Sequence, residues 1–183
     1  MPPEIISIVG FSNSGKTTLM VALISCLKTR GYRIGTIKHA AHGFDMDRSG
    51  KDSYKHKQAG AEGVVVASAK RIAVVKEVDH DMSPVEIARA FYGDMDLVLV
   101  EGFKRENLFK IEVLGFDQNP EPHFSDHPKL LATVGAGSPN NPPVPHFSFD
   151  QADALADFLV RSGAISKGKK SPTNTHTKLL LTE

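Results

Sequence analysis

Residues 10–17 read Gly-Phe-Ser-Asn-Ser-Gly-Lys-Thr, and this segment matches the complete P-loop (Walker A) pattern. Its two glycines let the backbone turn so that N–H groups point inward, and the helix predicted to follow adds its partial positive charge. Lys16 can reach the β- and γ-phosphates of a nucleoside triphosphate, Thr17 can offer its hydroxyl to Mg²⁺, and Thr18 can contact the α-phosphate. The predicted phosphate contacts are Gly10, Ser12, Asn13, Ser14, Gly15, Lys16, Thr17 and Thr18.

The flanking residues favour this interpretation over a chance glycine- and serine-rich turn. A short apolar run over 5–9 precedes the loop and is typical of a buried parallel strand. Apolar residues then recur at helical spacing over 16–30, and Gly31 is a natural end for that helix. A second strand over 33–38 completes a β-loop-α-β unit, which implies a parallel sheet.

The remaining pattern predicts a three-layer α/β P-loop NTPase fold, with a mostly parallel central sheet, flanking helices and a β-hairpin extension. Ser83, Pro84 and Glu86 form a strong helix start. Further strands are predicted over 63–67, 71–78, 96–100, 110–116 and 130–134, and further helices over 52–59, 84–92 and 150–161. We expect one nucleotide-binding domain over residues 1–165 and a disordered, basic tail over residues 166–183.

Composition agrees with one cytoplasmic domain. The chain has 183 residues, of which 40% are hydrophobic, and its net charge of +1 gives no reason to expect nucleic acid or an anionic membrane as the main partner. The single Cys26 excludes an intramolecular disulfide and is predicted to be a small buried residue of the first helix. The phenylalanines, mostly at strand and helix positions, are predicted to lie in the core.

A carboxylate follows the apolar run that ends at Val100. Ligands of open α/β sheets lie beyond the carboxyl ends of the strands, and Glu101 stands at such an end. Glu101 can bind Mg²⁺ through water or orient an attacking water molecule. The alternative is a solvated loop carboxylate after a core strand.

The loop after the second strand carries further candidates. The same sheet rule places it near the γ-phosphate, so Asp45 and Asp47 are candidates for Mg²⁺ or water coordination, and Lys38 for phosphate or substrate. His39 and His42 could ligate a metal, although ordinary polar histidines are the alternative. The predicted catalytic residues are Lys16, Glu101 and Asp47, and the predicted metal ligands are Thr17, Glu101 and Asp45.

Taken together, these motifs resemble the family of molybdopterin-guanine dinucleotide biosynthesis protein B (MobB). The likeness covers roughly residues 4–162, most of the chain. Besides the P-loop, the segments that carry it are Gly35-Thr36-Ile37-Lys38-His39, Asp47-x-x-Gly50-Lys51-Asp52-Ser53, Ala59-Gly60-Ala61 and Leu99-Val100-Glu101-Gly102-Phe103-Lys104. Their order makes the resemblance more specific than the P-loop alone.

The resemblance implies a homodimer that binds GTP with Mg²⁺, hydrolyses it slowly, and supports the guanylyltransferase that attaches GMP to molybdopterin. It also implies that Lys16, Thr17 and Glu101 belong to the nucleotide and metal site, which Asp45 or Asp47 would complete. If a dimer forms, the apolar strands within residues 63–78 are the candidate interface.

Two other functions stay open at this point. A small-molecule kinase should carry a mobile basic lid, but Arg48, Lys51, Lys55 and Lys57 are scattered. A metal-insertion GTPase would use His39 and His42 as ligands. The base is equally open, because no Asn-Lys-x-Asp motif is present; the loop over 135–145 is the geometric candidate, with Asn140 or Asn141 reading the base edge, and an unliganded surface loop is the alternative.

Overall fold

The computed structural model describes residues 2–40, 43–44, 47–118 and 120–168. Its strands are β1 (Glu4–Gly10), β2 (Ile34–Lys38), β3 (Gly63–Ala67), β4 (Ile72–Lys76), β5 (Leu97–Glu101), β6 (Phe109–Gly115), β7 (Leu130–Gly135) and β8 (His146–Phe147). Its helices are α1 (Lys16–Thr29), α2 (Asp52–Gln58), α3 (Pro84–Phe91) and α4 (Ala152–Arg161), and a short 3₁₀ turn (Phe149–Gln151) precedes α4.

Six strands form one parallel sheet in the order β2-β5-β1-β6-β7-β8. β1 lies inside the sheet, between β5 and β6, so the loop that follows it leaves the middle of the carboxyl edge. In register, Ile8 pairs with Glu101 on one side and Gly10 with Val113 on the other. The predicted α/β fold class is confirmed.

Helices cover both faces of the sheet, because alternate residues of each buried strand point to opposite sides. Ile6 and Ile8 of β1 face a core shared with α1 and α4. On the opposite face, Val98 and Val100 of β5 pack with Ala88 of α3. Cys26 is partly buried against the first of these cores.

The strands β3 and β4 pair with each other in an antiparallel sheet of their own, as the predicted hairpin extension. Their apolar side chains are unusually exposed. Those with large exposed areas on or beside the hairpin are Val65, Val66, Ile72, Val74 and Val78.

One strand of the sheet differs from the sequence prediction. The strand β8 was not predicted, since it has only two residues and follows a proline-rich stretch. At the amino end of β5, Asp96 is buried and accepts hydrogen bonds from the amides of Arg33 (2.7 Å) and Gly168 (3.0 Å). The structure describes the chain up to residue 168, and most of the tail predicted over 166–183 lies outside the described residues.

Within the part of the chain described by the structure, no helix combines the length and the apolar character needed to cross a membrane.

Candidate functional site

The loop between β1 and α1 needs glycine at both ends. Gly10 has φ 149°, and a Cβ there would collide with the backbone carbonyl oxygen of Val113. Gly15 has φ 96°, and its Cβ would lie 2.8 Å from the ring of Phe149. Both positions combine a positive φ with a lack of space, so the two glycines of the motif are required by the fold as well as by the pattern.

The N-terminus of α1 presents unpaired backbone donors. No side chain caps this 14-residue helix in the described structure, and its first turn carries no acidic residue. Its first intrahelical bond runs from the amide of Leu19 to the carbonyl of Gly15 (3.0 Å). The amides of residues 16–18 are therefore free to meet an anion, which the helix dipole favours at this end.

Lys16 supplies a fixed positive charge to the same concavity. Its half-buried ammonium group donates a hydrogen bond to the carbonyl of Phe11. Burial lowers the pKa of Lys16 below its usual value; the Glu101 carboxylate opposes that shift, whereas Lys104 and Lys38 add to it. Lys16 and Lys38 thus share one small space, with Lys104 close enough to repel Lys16, and an anionic ligand would relieve this repulsion.

Glu101 stands beside Thr17, as the sheet order requires. The Thr17 hydroxyl donates to Glu101 Oε2 at 3.2 Å, and Lys38 Nζ lies 3.8 Å from Glu101 Oε1. The Glu101 side chain is only 15% exposed. The buried Ser7 hydroxyl donates to the carbonyl of Gly102 at 2.6 Å, which fixes the turn that carries the carboxylate.

The oxygen atoms of Thr17 and Glu101 fit a magnesium ion. Mg²⁺ in nucleotide sites is held by one or two protein oxygens, with phosphate and water oxygens as its other ligands. Among the residues with described positions, no cluster of three or more His, Cys, Asp or Glu could hold a metal. A cation at Thr17 and Glu101 would therefore depend on the nucleotide phosphates for its remaining ligands.

These groups line one cavity of about 470 Å³ at the carboxyl edge of the sheet. Its lining residues are Ser12, Asn13, Gly15, Lys16, Thr17, Thr18, Lys38, Glu101 and Phe116. The sequence patterns brought all of these together except Phe116, which was predicted to lie in the core. Phe116 follows β6 directly and is 63% exposed.

Ser14, another predicted phosphate contact, is not among the described residues that line this cavity. It is buried, and its hydroxyl has no hydrogen-bond partner among the described residues. Its amide donates to the carbonyl of Phe11 at 3.3 Å. Ser14 therefore shapes the loop from its inner side and is not a wall of the cavity.

The structure does not bring Asp47 to the cavity. Its carboxylate accepts hydrogen bonds from the amide of Arg48 (2.8 Å) and the hydroxyl of Ser53 (3.1 Å), close to the start of α2. It also lines a cavity beside the hairpin, together with Val64 and Val66. The connection from β2 to α2 covers 13 residues, which is long enough to carry Asp47 away from the carboxyl edge. Asp45 lies outside the described residues.

The geometry gives little support to a metal site at His39 and His42 or to recognition of the base by the loop over 135–145. The ring of His39 packs against that of Phe103, with centroids 4.4 Å apart, and its Nε2 lies 3.8 Å from Asp81. His42 lies outside the described residues. Asn140 and Asn141 are not among the described residues that line the P-loop cavity.

Comparison with known proteins provides independent evidence about the family of this chain. The family model described as "Molybdopterin guanine dinucleotide synthesis protein B" (MobB) matches residues 5–136. The molybdopterin-guanine dinucleotide biosynthesis adapter protein of Escherichia coli K12 is 37% identical over 161 residues, which span 85% of this chain and 91% of that protein. The adapter protein of the same name from Haemophilus influenzae is 43% identical over 131 residues, or 70% of this chain and 74% of that protein.

Solved structures agree with the sequence relatives. A crystal structure of molybdopterin-guanine biosynthesis protein B matches with a TM-score of 0.70 at 29% identity, covering 86% of this chain and 99% of that one. The crystal structure of Bacillus subtilis MobB matches with a TM-score of 0.67 at 26% identity, covering 91% and 99%. The resemblance carried by the P-loop and the Glu-Gly-Phe-Lys segment is confirmed: this chain belongs to the MobB family.

Proposed function

We propose that this chain binds GTP with Mg²⁺ and acts as an adapter for the guanylyltransferase of molybdopterin guanine dinucleotide biosynthesis. The observation that carries the proposal is the single cavity in which the uncapped N-terminus of α1, the Lys16 ammonium and the Thr17–Glu101 pair converge. Each of these groups has a separate partner in a magnesium triphosphate: backbone amides and ammonium for phosphate oxygens, hydroxyl and carboxylate for the metal.

Hydrolysis by this site should be slow. Glu101 is placed to orient a water molecule, since it is close to Thr17 and held by the turn that Ser7 fixes. Fast NTPases also place an arginine against the charge that develops in the transition state. The cations that line this cavity in the described structure are the lysines Lys16 and Lys38. The site is thus better equipped to hold a triphosphate than to cleave it.

The proposed adapter role is supported by the geometry of this site together with the names of the related proteins. The E. coli and H. influenzae proteins are named adapter proteins of molybdopterin-guanine dinucleotide biosynthesis. Guanylyl transfer consumes GTP, so a protein that holds GTP and hydrolyses it slowly is suited to support the transferase. A kinase would need its own acceptor site; Lys57, one of the basic residues considered for a lid, instead pairs with Glu77 at 2.6 Å.

We also propose that the chain is a homodimer joined through the hairpin β3–β4. An isolated two-stranded sheet is marginally stable in water, and this one leaves Val65 opposite Val74 with both side chains exposed. Exposed apolar surface of this kind marks an interface. We expect a Val65→Lys variant to be monomeric by light scattering, whereas Val160→Lys, an exposed change on α4, keeps the mass of the wild type. A monomeric wild-type protein would contradict the dimer.

The function is tested by calorimetric titration of the full chain with GTP and MgCl₂, followed by phosphate-release assays with and without the transferase and molybdopterin. We expect saturable binding, slow phosphate release by the chain alone, and more dinucleotide product from the transferase when the chain is added. Absence of GTP binding would refute the proposal. Rapid phosphoryl transfer to a small acceptor by the chain alone would favour a kinase instead.

A further inference from the structure

The P-loop cavity has two chemically different ends. β1 lies between β5 and β6, so the Glu101 end of β5 and the end of β6 that leads to Phe116 stand on opposite sides of the loop. Adjacent strands are about 4.8 Å apart, which separates the two strand ends by about 10 Å. Lys38, on the strand beyond β5, extends the charged end further from Phe116.

This polarity fixes the direction of a bound nucleotide. The terminal phosphate and its metal must lie at the charged end, near Thr17 and Glu101, where the metal ligands are. The phosphate chain then passes the amides at the start of α1, and Thr18 meets the α-phosphate. The ribose and the base must leave the cavity on the other side of β1, where Phe116 stands.

Phe116 is built as a supported aromatic surface. Its ring stacks on Phe149 with centroids 5.1 Å apart and an angle of 24° between the ring planes. Phe149 is itself half-buried, packs against the core under α1 and α4, and fills the space above Gly15. Phe149 covers one face of Phe116, so the ring area that stays exposed in this 63% exposed residue lies on the opposite face and the ring edge.

We propose that Phe116 is the platform on which the base of the bound nucleotide stacks. This inference rests on the proposed nucleotide binding and extends it to the base. Phe116 is the one aromatic residue among the described residues that line the cavity; the others are polar or glycine. An aromatic ring stacks on any purine, so Phe116 contributes affinity for GTP and ATP alike and does not select guanine.

An exposed phenylalanine can also serve packing alone, through its contact with Phe149. The two roles differ in their response to ligands. If Phe116 only packs against Phe149, its replacement should change the affinities of all ligands of the loop equally, or of none. If Phe116 stacks on the base, its replacement should weaken the binding only of ligands that carry a base. Inorganic tripolyphosphate has the phosphates without the base and separates the two roles.

The first experiment is titration of the full-length protein with GTP, ATP and tripolyphosphate in the presence of MgCl₂. We expect Phe116→Ala to weaken GTP and ATP binding on the order of 10-fold and to leave tripolyphosphate binding unchanged. Phe116→Tyr keeps the ring and should keep the affinity. Phe91→Ala removes a comparably exposed ring on α3 (55% against 63%) and should leave all three affinities unchanged.

A second experiment uses the absence of tryptophan from the sequence. Phe116→Trp creates a single tryptophan at the proposed platform, and we expect GTP to quench its selectively excited fluorescence while tripolyphosphate does not. Phe91→Trp is the control and should not respond to GTP.

The proposal is overturned if Phe116→Ala binds GTP as tightly as the wild type, or if it loses tripolyphosphate and GTP affinity in equal proportion. Unquenched Phe116→Trp fluorescence at saturating GTP would also overturn it. These outcomes leave the proposed function intact, because the wild type still binds GTP. A wild-type protein that binds neither GTP nor tripolyphosphate would overturn both.

Discussion

Replacement of Lys16 by alanine tests the phosphate site most directly, and Lys38 offers a matched comparison. Both lysines line the same cavity, but Lys16 is half-buried in the loop whereas the Lys38 side chain is 70% exposed. The two variants remove the same charge from two different dielectric environments. Their difference therefore measures how much the loop, rather than net charge, contributes to binding.

The expected magnitudes follow from Coulomb's law. A unit charge about 4 Å from a phosphate oxygen contributes about 4 kcal/mol at an effective dielectric constant of 20, and about 1 kcal/mol in bulk water. The first value applies to Lys16 and the second to Lys38. Since about 1.4 kcal/mol corresponds to a tenfold change in affinity, Lys16→Ala should weaken GTP binding on the order of 1,000-fold and Lys38→Ala about fivefold.

Calorimetric titration with GTP and MgCl₂ at pH 7 and fixed ionic strength measures both values. Circular dichroism and urea unfolding of each variant exclude loss of the fold as the cause. Unchanged affinity in Lys16→Ala would refute the assignment of the phosphate site. Equal losses in the two variants would refute the reasoning from burial, since net charge alone would then explain binding.

Three further perturbations follow from the geometry. Glu101→Gln keeps a neutral oxygen beside Thr17 but cannot activate water, so GTP affinity should change by less than about tenfold while phosphate release falls about 100-fold. Gly15→Ala places a Cβ 2.8 Å from Phe149 at φ 96°, and should lower the free energy of unfolding by about 1–2 kcal/mol in urea titrations and weaken GTP binding. Burial opposes ionisation of Asp96, but hydrogen bonds from the Arg33 amide and guanidinium and from the Gly168 amide outweigh it and hold its pKa below the usual value. Its stabilisation is therefore present above about pH 4 and is lost as the pH falls through that lowered pKa, so Asp96→Asn should cost about 1.5–3 kcal/mol at pH 7 and progressively less below pH 3.8.

For each of these three predictions, one experimental result would contradict the reasoning. Unaltered phosphate release in Glu101→Gln would remove that carboxylate from the catalytic role. Wild-type stability in Gly15→Ala would mean that the ring of Phe149 moves aside without cost. An equal destabilisation of Asp96→Asn at pH 7 and pH 3 would show that the side chain contributes through shape and not through its charge.

The sequence predicted those parts of the fold in which local pattern and tertiary demand agree. β1, the P-loop and α1 combine a strand run, two required glycines and a helical repeat, and all three stand where predicted. The capping box at Ser83 and Glu86 is present, because its donors and acceptors lie within four residues of one another. The sequence did not predict β8, because two residues are too few to show an alternation of polar and apolar side chains. The strand is defined by its pairing with β7.

The residues of the candidate site also fall into two groups, those whose position follows from a local pattern and those whose position depends on the tertiary structure. The structure brings Lys16, Thr17 and Glu101 together, as the pattern predicts, because each stands directly at a strand end or a helix start. Asp47 lies away from the cavity because the connection from β2 to α2 is 13 residues long, and the rule that ligands bind at the carboxyl ends of strands does not fix residues so far from a strand end. The exposure of Phe116 could not be read from sequence, since it depends on Phe149, which lies 33 positions later and occupies the space behind it.

The division of the cavity constrains where guanine selectivity can come from. In the proposed binding mode its charged half, around Lys16 and Glu101, would recognise phosphates and metal, which GTP and ATP share. Phe116 offers a π-surface, which the two purines also share. Discrimination needs hydrogen-bond donors or acceptors aimed at the base edge, and the polar residues of the described lining belong to the P-loop and the start of α1 or are Lys38 and Glu101, which the proposal assigns to phosphates and metal. If the chain prefers GTP, the groups that read the base must therefore come from outside this lining, from another segment of the chain, a second copy or the transferase itself. Addition of the transferase should then raise the preference for GTP over ATP without changing the affinity for tripolyphosphate, and an identical preference with and without the transferase would place the selectivity within this protein.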